Sequence, residues 1–259
     1  MLAAAACLLA QNPPEAKVEL GSQTARNGFK NETEIQNKLN SWRSDRDAQA
    51  WLAAMNYRLE TIESVLATKP HGEKADVEVR IKTARGETIE GISIKLVSSP
   101  NGFNQIDKRW LSHYVKMWNI PAAVAESLKL FLGETSPAKP GRDPNRMYLN
   151  ELDAVQQKAV VDFFSANRSK IVHDLFQGNG PHTAGWIMVA YKAAEPTRWT
   201  IRRVDDAIKF FGDGSVEITS HGNLRIGRIT MQRKGGDAGR ETAKMLQFKI
   251  NPVELFDAR

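Results

Sequence analysis

Asp76-Val-Glu-Val-Arg-Ile-Lys-Thr-Ala-Arg-Gly-Glu-Thr-Ile-Glu-Gly-Ile-Ser-Ile-Lys-Leu96 alternates polar and apolar side chains, with one break at Ala84-Arg-Gly-Glu87. Period-two alternation marks a half-buried strand, and a short glycine-containing break between two such runs marks a β-hairpin. In the first strand Val77, Val79 and Ile81 share one face, and Asp76, Glu78, Arg80 and Lys82 share the other. In the second strand Ile92, Ile94 and Leu96 point one way while Ser93 and Lys95 point the other, because residues two apart lie on one face. Asp76, Ser93 and Lys95 thus fall on polar faces in the spacing D-x16-S-x-K.

The flanks of the hairpin are helical by periodicity. Asn31 can cap a helix through Glu34, Ile35 and Leu39 to Trp42, and a second helical stretch covers Asp45 to about Leu66, either unbroken or with a break near Asn56. Beyond the hairpin, helical spacing predicts helices over Gln105–Trp118, Pro121–Leu132, Leu149–Ala166 and Ser169–Phe176. The proline-rich Ser136–Pro144 predicts an exposed loop, and Gly178-Asn-Gly-Pro181 ends the helical block. After it come predicted strands at Trp186–Tyr191, Trp199–Val204, Val216–Thr219, Leu224–Gln232 and Met245–Ile250, with a short helix at Asp205–Phe211. The class that follows is α/β in the broad sense, strictly α+β, with helices packed on a mixed sheet. Residues 1–17 read as an N-terminal tail and 18–259 as a single domain. Within that domain 18–135 carry the hairpin, 136–185 are helical and 186–259 are strand-rich.

The 259 residues carry 36 Lys and Arg against 30 Asp and Glu, a net charge of +6. Between Arg198 and Lys249 there are eleven basic and six acidic residues, so most of the surplus sits in the strand-rich end. Such a patch suits a polyanionic partner. Cys7 is the single cysteine, which excludes a disulfide framework and a cysteine-based zinc site. No apolar run approaches the roughly 18–20 residues needed to cross a bilayer, so the expected location is the cytoplasm. Met1–Ala10 is apolar like a secretion signal but lacks the preceding basic residues, and it reads as an appended tail. The five histidines form no H-N-H or HExxH pattern, which disfavours other metal hydrolases.

A carboxylate that can hold Mg2+, beside a lysine amine that can orient or deprotonate water, is what phosphodiester hydrolysis requires. The bare triplet does not decide the matter, since a solvated hairpin face with a cross-strand ion pair has the same spacing. Longer blocks do. Val18–Glu32, Ile94–Ser98 running into Gly102–Lys108, and Gln232–Ala243 with Met245–Lys249 together resemble type II restriction endonucleases that cut short GC-only sites, GCGC above all. The resemblance implies the PD-(D/E)xK nuclease fold: a restriction-endonuclease-like mixed sheet flanked by helices, with the active site at one end of the hairpin.

Residue by residue, the resemblance makes Asp76 the metal-binding aspartate and Lys95 the catalytic lysine. Ser93 stands where the family usually has Glu, or Gln or Asn in nearer relatives. Its short neutral hydroxyl would leave the carbonyl of Ile94 or water to complete a metal shell. Glu78 either restores a carboxylate or pairs with Arg80 or Lys82. Glu32 either assists the metal from its helix or is a first-turn acid stabilised by the helix dipole. Phe103 either wedges between base pairs or packs onto the following helix. Asn104, Gln105 and Lys108 would meet DNA near the scissile phosphate. Gln232, Arg233, Lys234, Asp237 and Arg240 would read bases, with Asp237 accepting from cytosine and the arginines gripping guanine.

The function implied is Mg2+-dependent double-strand cleavage of DNA at a short GC-rich site, leaving 5′-phosphates. A companion cytosine methyltransferase would protect the host, and a palindromic target invites a homodimer. Two other readings stay open: a nicking or repair endonuclease on the same fold, and a sequence-specific DNA-binding protein whose catalytic site has decayed at Ser93.

Overall fold

The computed structural model describes residues 13–72, 74–99, 102–139, 141–236 and 240–257. Cys7, Asp237 and most of the expected tail lie outside the described residues. Two helices open the chain, α1 (Pro13–Asn40) and α2 (Arg46–Ala54), followed by strands β1 (Ile62–Thr68), β2 (Val77–Thr83), β3 (Gly86–Val97) and β4 (Asn104–Arg109). Four helices come next, α3 (Leu111–Trp118), α4 (Ala122–Leu132), α5 (Ala154–Ala166) and α6 (Arg168–Gln177). Then follow β5 (Trp186–Tyr191), β6 (Arg198–Arg203), α7 (Val204–Gly212), β7 (Val216–Ile218), β8 (Leu224–Ile226), β9 (Ile229–Arg233) and β10 (Leu246–Ile250).

The hairpin forms where the alternation put it, with β2 and β3 antiparallel from Val77↔Ile92 to Thr83↔Gly86. It sits inside a mixed sheet of order β1-β2-β3-β5-β6, in which the β3–β5 pair is parallel. A second, antiparallel sheet has the order β4-β10-β9-β8-β7. The α+β class therefore stands, with the strand-rich end divided between the sheets: β5 and β6 complete the first, and β7–β10 join β4 in the second. β5 is buried on both faces, as its unbroken apolar run Trp-Ile-Met-Val-Ala requires of a strand covered on two sides. On one side Trp186 and Met188 pack with Ile35, Leu39, Trp51 and Leu52 of α1 and α2. On the other, Ile187 and Val189 join the larger core of α3–α7 and the second sheet. There Tyr114 stacks on Trp118 at 4.7 Å, and both rings meet the edge of Phe248.

Several elements differ from their sequence expectation. The helix expected to start at Asn31 is already under way, because α1 begins at Pro13 and runs about 42 Å at 1.5 Å per residue. Asn31 is a buried mid-helix residue, not a cap. The helix expected over Asp45–Leu66 ends at Ala54, and Ile62–Thr68 pairs with β2 instead. Asp45 is the true cap here, accepting the amide of Ala48 at 2.9 Å. The helix expected over Gln105–Trp118 is cut in two, because Asn104–Arg109 pairs with β10 and only Leu111–Trp118 is helical. Leu224–Gln232 folds back on itself as β8 and β9, through a turn in which Gly227 takes φ 57°. Among the described residues no helix is long and apolar enough to cross a membrane.

Candidate active site

β2 and β3 part company at the Val77↔Ile92 pair. Beyond it β3 continues beside β5 alone, and its other edge opens into a crevice. Asp76 stands at this fork. Its amide donates to Ile92 O at 2.9 Å, while its Oδ2 accepts the Ile94 amide at 2.6 Å and the Ser93 hydroxyl at 3.3 Å. Lys95 Nζ donates to Ser93 Oγ at 3.1 Å and to Ile94 O at 3.2 Å, and lies 4.0 Å from Asp76 Oδ2. Strand pairing would normally consume the Ile94 amide and carbonyl. Here the open edge turns both toward the crevice, where the carboxylate and the ammonium take them up.

The crevice encloses about 730 Å3. Its walls are Asp76, Ser93 and Lys95 on the hairpin, Glu32 and Phe29 on α1, and the whole of β4. Glu32 reaches in from α1 with its carboxylate 3.0 Å from Lys69 Nζ. Burial raises its pKa, Lys69 pulls it back, and the nearby Asp76 carboxylate raises it further. The hairpin, α1 and β4 thus bring the sequence-predicted residues Asp76, Ser93, Ile94, Lys95, Glu32, Asn104, Gln105 and Lys108 to one cavity.

Glu78 goes elsewhere. It lies on the same strand face as Asp76 but contacts His182 Nδ1, from the loop before β5. Its two expected partners are otherwise engaged, Arg80 with Glu87 at 2.7 Å and Lys82 with Glu63 at 3.1 Å. The helix that Phe103 was expected to pack on begins as β4 instead, and Phe103 stands 56% exposed just before that strand.

A model of the R.HinP1I restriction endonuclease family matches residues 55–256, which span the hairpin, the crevice floor and both sheets. The chain belongs to the R.HinP1I restriction endonuclease family. That makes it a type II site-specific deoxyribonuclease by membership. None of the curated proteins matches the chain. Among solved structures it is similar to restriction endonuclease MspI in complex with its cognate DNA. The TM-score is 0.56 at 14% identity, covering 85% of this chain and 83% of that one. At such identity the likeness is one of fold. Glu32 and the rest of α1 precede the segment that the family model matches.

Restriction endonucleases of this kind generally use a divalent metal, and the crevice offers oxygen donors for one. Asp76, the Ile94 carbonyl and the Ser93 hydroxyl are all hard oxygens, with the Glu32 carboxylate on the facing wall. No group of three or more His, Cys, Asp and Glu side chains that could hold a metal occurs among the described residues. One or two carboxylates plus a carbonyl is nevertheless what Mg2+ takes when waters and substrate phosphates fill the rest of its octahedron. The donor set fits a hard cation that shares its shell with DNA.

Three residues that the sequence did not single out also line the crevice. Lys74 is buried with its Nζ donating to Ile106 O at 2.7 Å, and desolvation lowers its pKa to about 8 despite the pull of Asp107. Asp107, 9% exposed, holds Arg109 through Nε at 3.0 Å and Nη2 at 3.3 Å and also accepts the Tyr114 hydroxyl. Arg109, 38% exposed, is thereby fixed as a cation at the rim. Nothing local in Asn-Gln-Ile-Asp-Lys-Arg announces this, because the strand exists only through its pairing with β10.

The basic segment divides in the same way. Arg233 donates its Nε to Leu132 O at 2.8 Å, so it closes the C-terminal end of α4, and burial lowers its pKa. Gln232 faces Gln247 across the β9–β10 ladder. Lys234 continues that ladder, its amide donating to Met245 O at 2.8 Å. Gly235 and Gly236 follow with φ of 63° and 65°, a left-handed conformation in which a side chain would strain. Arg240 is exposed beside that turn.

Proposed function

We propose that the chain is a Mg2+-dependent restriction endonuclease that cuts both strands of duplex DNA at a short GC-rich site, GCGC being the best fit, and leaves 5′-phosphates. The observation that carries this is the convergence of Asp76, Ser93, Lys95 and the Ile94 carbonyl at the fork of β2 and β3, in a chain of this family. The complex of MspI with its cognate DNA supports duplex DNA as the partner. Asp76 and the Ile94 carbonyl would hold the metal, with Ser93 through water and Glu32 as the acid on the opposite wall. The metal would neutralise charge developing on the phosphate.

Lys95 does the remaining work at the phosphorus. Its ammonium, fixed by Ser93 Oγ and Ile94 O, holds the attacking water in line with the leaving 3′-oxygen. The water oxygen bonds to phosphorus and gives up its proton to solvent, the P–O3′ bond breaks, and solvent protonates the leaving oxygen, so the phosphate stays on the 5′ end. Arg109 grips a neighbouring phosphate from the rim. Phe103 enters the base stack, and Asn104, Gln105, Lys108, Gln232, Lys234, Asp237 and Arg240 read bases or phosphates. Glu78 is not used, since His182 occupies it. A two-fold dimer on the palindrome and a companion cytosine methyltransferase belong to the same proposal.

Ser93 favours one alternative, a binding protein with a decayed site. Digestion of unmethylated plasmid with Mg2+ separates the readings. Discrete fragments with 5′-phosphate ends are expected. Open circles that never become linear mean a nicking enzyme and shifted bands without cutting mean a binding protein; either result, or the absence of both cutting and binding, overturns the proposal.

A further inference from the structure

β4 carries a bulge. Phe248 pairs with Asp107 and Lys249 with Gln105, so Ile106 is left without a partner in the ladder. A bulge orphans backbone groups and re-aims the strand, and such defects gather next to functional sites. The orphaned Ile106 carbonyl is taken by Lys74 Nζ at 2.7 Å. Lys74 lies two residues ahead of Asp76 on the same strand approach. Its stem runs against Gly178, where any larger residue would put a Cβ 2.7 Å from Lys74 Cβ. The segment is fixed at both sides, with Ala75 N donating to His182 O at 3.1 Å and Asp76 N to Ile92 O at 2.9 Å. Lys74 Nζ also lies 3.9 Å from Asp107 Oδ2, the carboxylate that holds Arg109. Opposite charges therefore alternate from Lys95 through Asp76, Lys74 and Asp107 to Arg109.

We propose that Lys74 is a positioning residue that couples the reading of DNA by β4 to the placement of the catalytic Asp76. The inference rests on the nuclease reading above. β4 holds Asn104, Gln105 and Lys108, so bases that seat the strand correctly also seat the Ile106 carbonyl. The buried ammonium follows that carbonyl and carries the backbone into Asp76 with it. A wrong base shifts β4 and withdraws the carboxylate from its place without abolishing binding. An ammonium suits this role because it bonds the Ile106 carbonyl while lying beside the Asp107 carboxylate, and its loss would leave that carbonyl without its donor.

The test compares wild type with Lys74→Met, which keeps the stem and removes the donor. Single-turnover cleavage is measured on the site found by plasmid digestion and on a duplex with one base pair changed. Binding of both duplexes is measured in Ca2+, and melting is followed in parallel. Expected is a loss of about 30-fold in cognate cleavage, the size of one charge-assisted hydrogen bond. Near-cognate cleavage should fall no more than about threefold and binding should stay within about threefold, so discrimination collapses roughly tenfold. Lys74→Arg, which keeps charge and donor, should recover most of that ratio. Equal losses on both duplexes, or no loss on either, overturn the inference. Should Lys74→Met fail to fold, Lys74→Gln, too short to reach Ile106, must lose discrimination where Lys74→Arg keeps it, and equal behaviour of the two overturns it. Should the wild type cut no duplex at all, the nuclease reading fails and the inference falls with it.

Discussion

The fork of β2 and β3 and the basic segment around Gln232–Arg240 are built on opposite plans. At the fork every functional atom is tied to a neighbour on the same hairpin: Asp76 to Ile94 and Ser93, and Lys95 to Ser93 and Ile94. The geometry is in place before any ligand arrives, as electrostatic catalysis demands. In the basic segment the strongest tie is structural, from Arg233 to the end of α4, and the chain then leaves the sheet through Gly235 and Gly236. The fork is preorganised by side chains, whereas the basic segment is held by its backbone, with Gly235 N donating to Ala243 O at 2.9 Å. The contrast teaches that basic residues adjacent in sequence need not share a role, and it can be broken at either end.

The largest effect is expected at the fork. Asp76→Asn should reduce cleavage on the order of 10^3-fold while DNA binding without metal stays close to wild type, measured by single-turnover digestion and by band shift. Binding lost together with cleavage would place Asp76 in docking instead. At the turn, Arg240→Ala should cost about 1–3 kcal/mol of discrimination at one base pair, read as a relaxed site in a digest of randomised duplexes. Arg233→Ala, seven residues away, should behave differently. It should lower the melting point by removing a bond of about 1 kcal/mol and leave the site unchanged. A relaxed site in that variant would return Arg233 to the reading surface.

The smallest effect lies outside both regions. Asp45→Ala should cost about 1 kcal/mol of stability, as for a typical N-cap, with cleavage intact. Burial alone would raise the pKa of Asp45, but the Ala48 amide and Lys38 outweigh it and hold it below the ordinary value. Its contribution is therefore complete above the unfolded pKa and fades as pH falls through the lower folded value. The difference in melting point between wild type and Asp45→Ala should accordingly shrink in acid, and a constant difference would refute the cap.

What the sequence revealed follows from the range of the forces involved. The hairpin was legible because alternation over β2 and β3 is a local property, and with it came Asp76, Ser93 and Lys95. β1 and β4 were not. Leu52, Met55, Leu59 and Ile62 keep helical spacing, yet Ile62 begins a strand because β2 offers a partner. Asn104–Arg109 has one apolar residue, Ile106, and becomes a strand only through β10, far along the chain. With β4 misread, Lys74, Asp107 and Arg109 could not be seen as one group. Glu78 was assigned partners on its own strand, while its true contact, His182, is distant in sequence and close only in the fold.

The central claim is that the fork of β2 and β3 cuts DNA, and Lys95→Ala tests it most directly. Among the described residues the polar contacts of Lys95 are with Ser93, Ile94 and Asp76 in the crevice, so its loss should spare the fold. Single-turnover cleavage of a cognate duplex at saturating protein and Mg2+ should fall by about 10^2–10^4-fold, with affinity in Ca2+ unchanged. Cleavage by Lys95→Ala at the wild-type rate would contradict the account and move the catalytic centre away from the fork.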